Sequence, residues 1–484
     1  MRVGIREEAA SAKARERRTP MDANPSPANQ TADPASLATL SSSGKVLVDV
    51  GRTDLTGPGV SAGIDSSVHG PERIVALLFA LSAMSYFDRV AISIAGPGIM
   101  KDFHISETEM GTVFLAFLLS YTVMMAPGGA LGDRFGGRLV LTVAGVGSAL
   151  FTGLTVVCGP QGLGAYVGVL PAFLVIRLAF GVCVSPIYPS MARIVSAWIA
   201  PGGRARVQSL IVSGAAVGSA VAPVLFSYLI GAYGWRGAFW IAAAATTILI
   251  MIWHSWVRDR PPSPIAPELA AREPIAGSWR MLLGDRQLLL VTGSYSALSY
   301  FQYIFYYWIY YYFGEIRGMG EEQSAFATTV IFITMAIMAP LGGWMSDHLT
   351  ARFGPKRGLR MVPVGAMTAS AVLLHLGVSG LGDFATVGLL ALAVGCCVAT
   401  EGAFWATSIH MGGKQVGAAC GIVNCGGNVG GMLAPIMTPL VAQRFGWTGA
   451  LSFASFVVLI GMLAWLAIDP THRVGRPAES ADID

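Results

Sequence analysis

Twelve apolar runs follow one another along the chain at approximately 73–96, 110–131, 137–158, 166–190, 207–231, 236–257, 287–313, 324–345, 361–379, 385–410, 417–440 and 447–468. Each approaches or exceeds the roughly 20 residues that a helix needs to cross a hydrocarbon core. In lipid, every backbone N–H and C=O must be satisfied internally, which leaves helices as the solution for runs of this length. Only 12% of the residues are charged, against about 25% in soluble domains. The expected fold is therefore an all-α membrane protein with twelve transmembrane helices. Fourteen Lys and Arg residues fall in the loops on one side, and Lys101, Arg236, Arg317 and Arg444 are the four on the other. By the positive-inside rule this predicts a multi-pass protein of the plasma or inner membrane with both termini cytoplasmic. A net charge of +4, spread over many loops, gives no reason to expect a nucleic-acid partner.

Outside the apolar runs, residues 1–70 are rich in Ser, Ala, Pro, Gly and charge and lack the apolar stretch of a cleavable signal. They read as a disordered cytoplasmic tail, with Met21 an alternative start. Residues 258–286 carry Pro261, Pro262, Pro264, Pro267 and Pro274 and read as a cytoplasmic linker between a bundle at 71–257 and a second at 287–470. A short cytoplasmic tail, 471–484, closes the chain. The six cysteines lie in or beside apolar runs without metal-ligand spacing, so neither a disulfide framework nor a zinc site is expected.

The two halves repeat. SAMSYFDR at 82–89 returns as SALSYFQY at 296–303, and APGGALGD at 126–133 returns as APLGGWMSD at 339–347 with one insertion. SGAAVGSAVAPVLFSYLIGAYGWRG at 213–237 returns ungapped as CGGNVGGMLAPIMTPLVAQRFGWTG at 425–449. Two pseudo-symmetric six-helix bundles follow from this. Parallel six-helix repeats are a common plan of secondary transporters, with the solute site near the midplane between them.

Asp88 and Arg89 lie about fifteen residues into the first run. A charge at such a depth costs on the order of 3 kcal/mol by insertion scales. A chain keeps such residues where they face protein, a partner or an aqueous cavity, so the pair marks a site for an ion or a charged solute. No nucleophile–base pairing, phosphate loop or metal cluster stands in the sequence, so no enzymatic chemistry, cofactor or metal is expected.

After the second run comes GDRFGGR (132–138), with a weaker mate SDHLTARFGPKR (346–357). Glycines allow its tight turn. Asp133 can neutralise a helix end while Arg134 and Arg138 bridge to partners, in pairings that hold one arrangement of the halves and release in another. In this place the loop resembles the signature of the major facilitator superfamily, and Gly132, Asp133, Arg134, Gly136 and Arg138 are read as its gating residues. More narrowly, about residues 72–470 resemble the anion:cation symporter branch, whose members carry sugar acids and other organic anions. The likeness rests on Tyr86-Phe87-Asp88-Arg89, Arg177-x-x-x-Gly181 leading to Tyr188-Pro189, Phe404-Trp405 and GIVNCGGNVGG at 421–431.

That resemblance implies alternating access for a small organic anion such as a hexuronate, aldonate or aldarate, driven by the proton motive force, in a protein that works as a monomer in the bilayer. Arg89 and Arg177 are the two cations read as meeting the substrate carboxylate, and the resemblance implies that Arg89 contacts the anion while Arg177 supports coupling. A guanidinium matches a carboxylate with two parallel hydrogen bonds and stays charged in a poor solvent. The alternative is a closed ion network of Asp88, Arg89 and Arg177. Asp88 is the leading proton carrier, with gating able to separate it from its guanidinium neighbour. One departure stands out: the branch has a glutamate seven residues after the span-four arginine, and this chain has Val184. Glu401 can take its place or form a structural pair with a neighbouring helix. Facilitated diffusion is thus a second reading, and a membrane sensor that binds the anion without carrying it is a third.

Gln302 is the repeat mate of Asp88, and with Tyr306 it suits a cavity for sugar hydroxyls. Residues 307–313 read instead as an interfacial aromatic belt. Asn428 resembles the branch's substrate asparagine. Trp405 and Ser408 share a helical stripe with Glu401, and Thr407 and Tyr121 complete the substrate-binding set. Gly426-x-x-x-Gly430 and Gly427-x-x-x-Gly431 read as helix packing motifs.

Overall fold

The computed structural model describes residues 70–199, 201–258, 279–412 and 416–475, so all but residue 70 of the tail expected at 1–70, residues 476–484 of the tail expected at 471–484 and most of the linker lie outside the described residues. Regular structure within them is helical. The long helices are α1 (Gly70–Phe103), α2 (Glu107–Phe135), α3 (Gly137–Leu154), α4 (Val169–Val184), α5 (Ile187–Trp198), α6 (Pro201–Trp256), α7 (Arg286–Tyr307), α8 (Glu321–Phe353), α9 (Pro355–Gly377), α10 (Asp383–Ala399), α11 (Glu401–Gly412) and α12 (Val416–Ala467).

These elements make twelve crossings, with local breaks where the sequence demands them. As an unbroken rod at 1.5 Å per residue, α6 would run roughly 84 Å, far beyond the bilayer. It folds back instead at Gly234 (φ 70°, ψ 165°), which brings Phe226 and Phe239 from opposite sides of the turn to a ring-centroid distance of 5.1 Å. In the other half, α12 reverses at Gly446 (φ 69°, ψ 171°). There Trp308 donates to the Pro435 carbonyl at 3.1 Å and packs on Trp447 at 5.4 Å. The fourth crossing is interrupted between α4 and α5 at Ser185 and Pro186, and the tenth between α10 and α11 at Thr400. Gly136 (φ 86°) and Gly354 (φ 80°) make the turns after α2 and α8 in a region that favours glycine. The sequence repeat is a structural repeat, down to its turns.

Small residues let the crossings approach. A side chain at Gly218 would strike the Ala83 carbonyl, and one at Gly430 the Ser296 carbonyl between α12 and α7. Gly430→Leu is expected to lose about 1–3 kcal/mol to overpacking, read as a fall in melting temperature in detergent. Gly293→Leu, on the same α7 but with nothing within 4 Å of its Cβ position, should be close to neutral.

The halves meet most closely at the end that carries Glu107. Tyr311 donates to Glu107 Oε1 at 2.5 Å, and Trp447 Nε1 to the same oxygen at 3.4 Å. Gln443 Nε2 donates to Thr108 at 2.8 Å, and Phe114 stacks on Tyr307 at 4.8 Å. Gly111 sits directly beneath the Pro435 carbonyl. Toward the opposite end, Asn424 reaches Met125 at 3.8 Å. The aromatic run 307–313 therefore corrects an expectation. Rather than facing the lipid interface, Tyr307, Trp308, Tyr310, Tyr312 and Phe313 are buried, Trp308 to 1% exposure, because their rings fill the seam between the halves and the helices behind it.

Candidate functional site

Successive residues on an α-helix point about 100° apart, so Asp88 and Arg89 cannot face the same way. Asp88, 1% exposed, turns into its own half. Its Oδ2 accepts from Ser148 on α3 at 3.0 Å and from Thr246 on α6 at 3.1 Å, and its Oδ1 is buried without a partner. Arg89 turns toward the other half. Its guanidinium carbon lies 5.1 Å from the centre of the Tyr86 ring, 4.7 Å from Phe117 and 4.7 Å from Tyr121. Arg89 Nε and Nη2 are buried and unpartnered. Arg177, 3% exposed, lies 5.3 Å from the Phe180 ring with its own Nε and Nη2 unpartnered. Among the described residues no ion pair joins Asp88 to Arg89 or Arg177, so the closed network is not formed.

Across from Arg89 stands α7. Tyr306 contacts Tyr86 of the first half at 6.5 Å and Tyr303 of its own helix at 5.7 Å. Tyr303 and Tyr307 lie within electrostatic reach of Arg89. Beyond them Gln302 Nε2 donates to Glu401 Oε1 at 3.4 Å, and Glu401 lies within reach of Tyr295, Tyr303 and Tyr306. Trp405 packs edge-on to Tyr295 at 5.8 Å. Asn428 is half-buried on α12, where nearby Gly431 rests against the Tyr303 ring. Tyr86, Tyr121, Gln302, Tyr303 and Tyr306, within their helices, and Glu401, at the break in the tenth crossing, are each only part-buried. With ring contacts running between the halves, this describes the wall of an internal space.

The structure thus gathers Arg89, Tyr121, Tyr306, Gln302 and Glu401, with Trp405 one ring behind. It sets Asp88 apart, in a hydroxyl cradle on the far side of α1. Thr407 and Ser408 are buried, and the Ser408 hydroxyl is taken up by the Phe404 carbonyl at 2.7 Å. In the loop after α2, Gly132 packs on Ser190, and Arg138 Nη2 donates to the His254 carbonyl at 2.6 Å. Arg134 lies over the Phe135 ring at 5.2 Å, and the side chain of Asp133 lies outside those described. Sequence reasoning missed Tyr86, Phe117 and Tyr303 as neighbours of Arg89, and Ser148 and Thr246 as partners of Asp88. The repeat held one usable signal, since it aligns Tyr303 with Arg89.

Chemically, Arg89 is short of acceptors. Ring faces offset part of the cost of a cation in a poor solvent, by about 0.5–2 kcal/mol each, but supply no oxygen for its N–H groups. A buried donor without a partner costs about 1–3 kcal/mol, more when charged. A carboxylate arriving from the internal space supplies two oxygens in the geometry of the fork.

A model of the Major Facilitator Superfamily matches residues 78–412. The chain is 28% identical over 415 residues to a hexuronate transporter of Bacillus subtilis, covering 84% of this chain and 94% of that protein. It is 27% identical over 421 residues to a probable galactarate/D-glucarate transporter of Escherichia coli, covering 82% and 92%. Among solved structures it resembles a bacterial homologue of the human lysosomal transporter Spinster, with a TM-score of 0.69 at 15% identity over 83% of this chain and 97% of that one.

Proposed function

The chain belongs to the Major Facilitator Superfamily, and on that premise we propose that it carries a small organic anion of the sugar-acid class across the bilayer by alternating access, coupled to protons. The observation that carries this reading is Arg89, a buried guanidinium with two unpartnered nitrogens aimed at the space between the halves. The relatives that carry hexuronate and galactarate or glucarate support the substrate class. With both termini in the cytoplasm, the seam of Glu107, Tyr311 and Trp447 closes the outer side. The anion's carboxylate pairs with Arg89, its ring or chain lies against Tyr121 and Tyr306, and its hydroxyls meet Gln302, Asn428 and Trp405. Arg177 supports coupling, and the loop 132–138 latches the cytoplasmic ends. Nothing in this scheme needs a second copy, so the monomer is the working unit.

Asp88 and Glu401 are the proton carriers in this proposal. Asp88 sits between Ser148 and Thr246, on crossings three and six of its own half, so a proton on it would report to those helices rather than to the anion directly. Asp88→Asn is expected to abolish accumulation driven by a pH gradient while exchange of internal for external anion continues. The measurement is uptake into proteoliposomes of a panel of sugar acids, with and without an imposed gradient, set beside counterflow. Accumulation by the Asn variant at the parent rate would remove Asp88 from the coupling path. Val184, buried at the end of α4, favours a second reading as a uniporter. In that case the imposed gradient changes neither rate nor extent in the parent protein.

A further inference from the structure

The charges that meet the internal space are unevenly divided between the halves. The first half contributes Arg89; Arg177, buried in the same half, lies within electrostatic reach of Tyr307 on α7, and Asp88 stands on the far side of α1. The second half contributes no cation. From Gln287 to Ile316, Glu321 to Ala351, 361–413 and 415–443 its sequence holds no lysine or arginine. The charged side chain that its wall presents is Glu401, at the start of α11 directly after the break at Thr400. A single weak hydrogen bond, from Gln302 at 3.4 Å, reaches its Oε1, and among the described residues none occupies Oε2. Tyr303 and Tyr306 lie within electrostatic reach of both Glu401 and Arg89.

A ligand lying across this space meets a guanidinium at one end and a carboxylate at the other. While it carries no proton, the Glu401 carboxylate accepts only; in that form it suits the vicinal hydroxyls of a polyol and opposes a second carboxylate. A ligand that reaches across to the second half with another carboxylate meets Glu401 there, and the spans of that half supply no lysine or arginine to receive it. Resting on the reading of the chain as a sugar-acid carrier, we infer that the site is built for a monocarboxylate with a hydroxylated tail, a uronate or an aldonate, and that Glu401 is the residue that turns away the matching dicarboxylate.

The test uses the full chain in proteoliposomes. Unlabelled D-glucuronate, D-gluconate, D-glucarate and galactarate compete against labelled D-glucuronate and labelled D-gluconate, and thermal-shift binding of the same acids in detergent is measured alongside. The parent should require at least about tenfold more diacid than monoacid for half inhibition, equivalent to about 1.4 kcal/mol. E401Q, isosteric and uncharged, should bring the two classes within about twofold, while E401D keeps the gap. Should E401Q bind without transporting, the ratio of binding constants is the deciding quantity, because a purely structural or coupling role would leave that ratio unmoved. Glucarate taken as readily as glucuronate by the parent, or an unchanged ratio in E401Q, overturns the assignment of Glu401 and leaves the carrier reading intact. Absence of binding and uptake for all four acids overturns the carrier reading, and this one with it.

Discussion

Arg89→Lys is expected to fold and reach the membrane in normal amounts and to lose nearly all uptake. Lysine keeps the charge and can still lie near the faces of Tyr86, Phe117 and Tyr121 (4.7–5.1 Å from the present guanidinium carbon), so the fold has little reason to change. What disappears is the planar pair of parallel donors. An ammonium offers a point charge that satisfies one carboxylate oxygen well and the other poorly. A hydrogen bond to a charged group contributes about 1.5–3 kcal/mol, so the loss corresponds to about one to two orders of magnitude in affinity. It should appear as a raised half-saturation concentration and a smaller thermal shift with the best sugar acid. Uptake by the Lys variant within a factor of two of the parent would show that the guanidinium fork does not hold the anion.

Gly111→Leu should stop the cycle by a different route, without touching the ligand. Gly111 lies on α2 against the Pro435 carbonyl of α12, so that a side chain there would enter the carbonyl oxygen's own space. The carbonyl cannot yield easily, because Trp308 donates to it at 3.1 Å. With leucine at 111 the seam of Glu107, Tyr311 and Trp447 cannot close, and the population moves to the arrangement open on that side. Transport is expected to fall at least tenfold while binding of the sugar acid persists. A cysteine placed at Gln443, whose amide now bonds Thr108 across the seam at 2.8 Å, should react faster with a membrane-impermeant thiol reagent in the Leu variant. Equal labelling rates and normal transport would mean that the seam is not a gate.

The crossings and their duplication were legible because the bilayer leaves the backbone few options, and because copied segments such as 213–237 and 425–449 keep their glycines and prolines in step. Asp88 and Arg89 were legible as a thermodynamic anomaly. The opposite directions they take follow from the helical rotation between neighbours, but which protein surface each one meets depends on how the other crossings pack. The aromatic run after Gln302 was misread because rings packed in a seam and rings at a lipid interface have the same composition, and only burial separates them. Ser148 and Thr246 give no sign of acting together in the sequence. Hydroxyls on crossings three and six become a pair only when those crossings bracket α1.

The three ring faces that rest against the Arg89 guanidinium belong to its own half: Tyr86 on α1, and Phe117 and Tyr121 on α2. If the halves rock as rigid bodies, the guanidinium takes its shelter along, and its surroundings on that side are the same at the start and the end of the stroke. Only the partners across the gap are exchanged. An empty carrier therefore does not have to strip water from a bare cation afresh on each return, which keeps the return step from becoming the slow one.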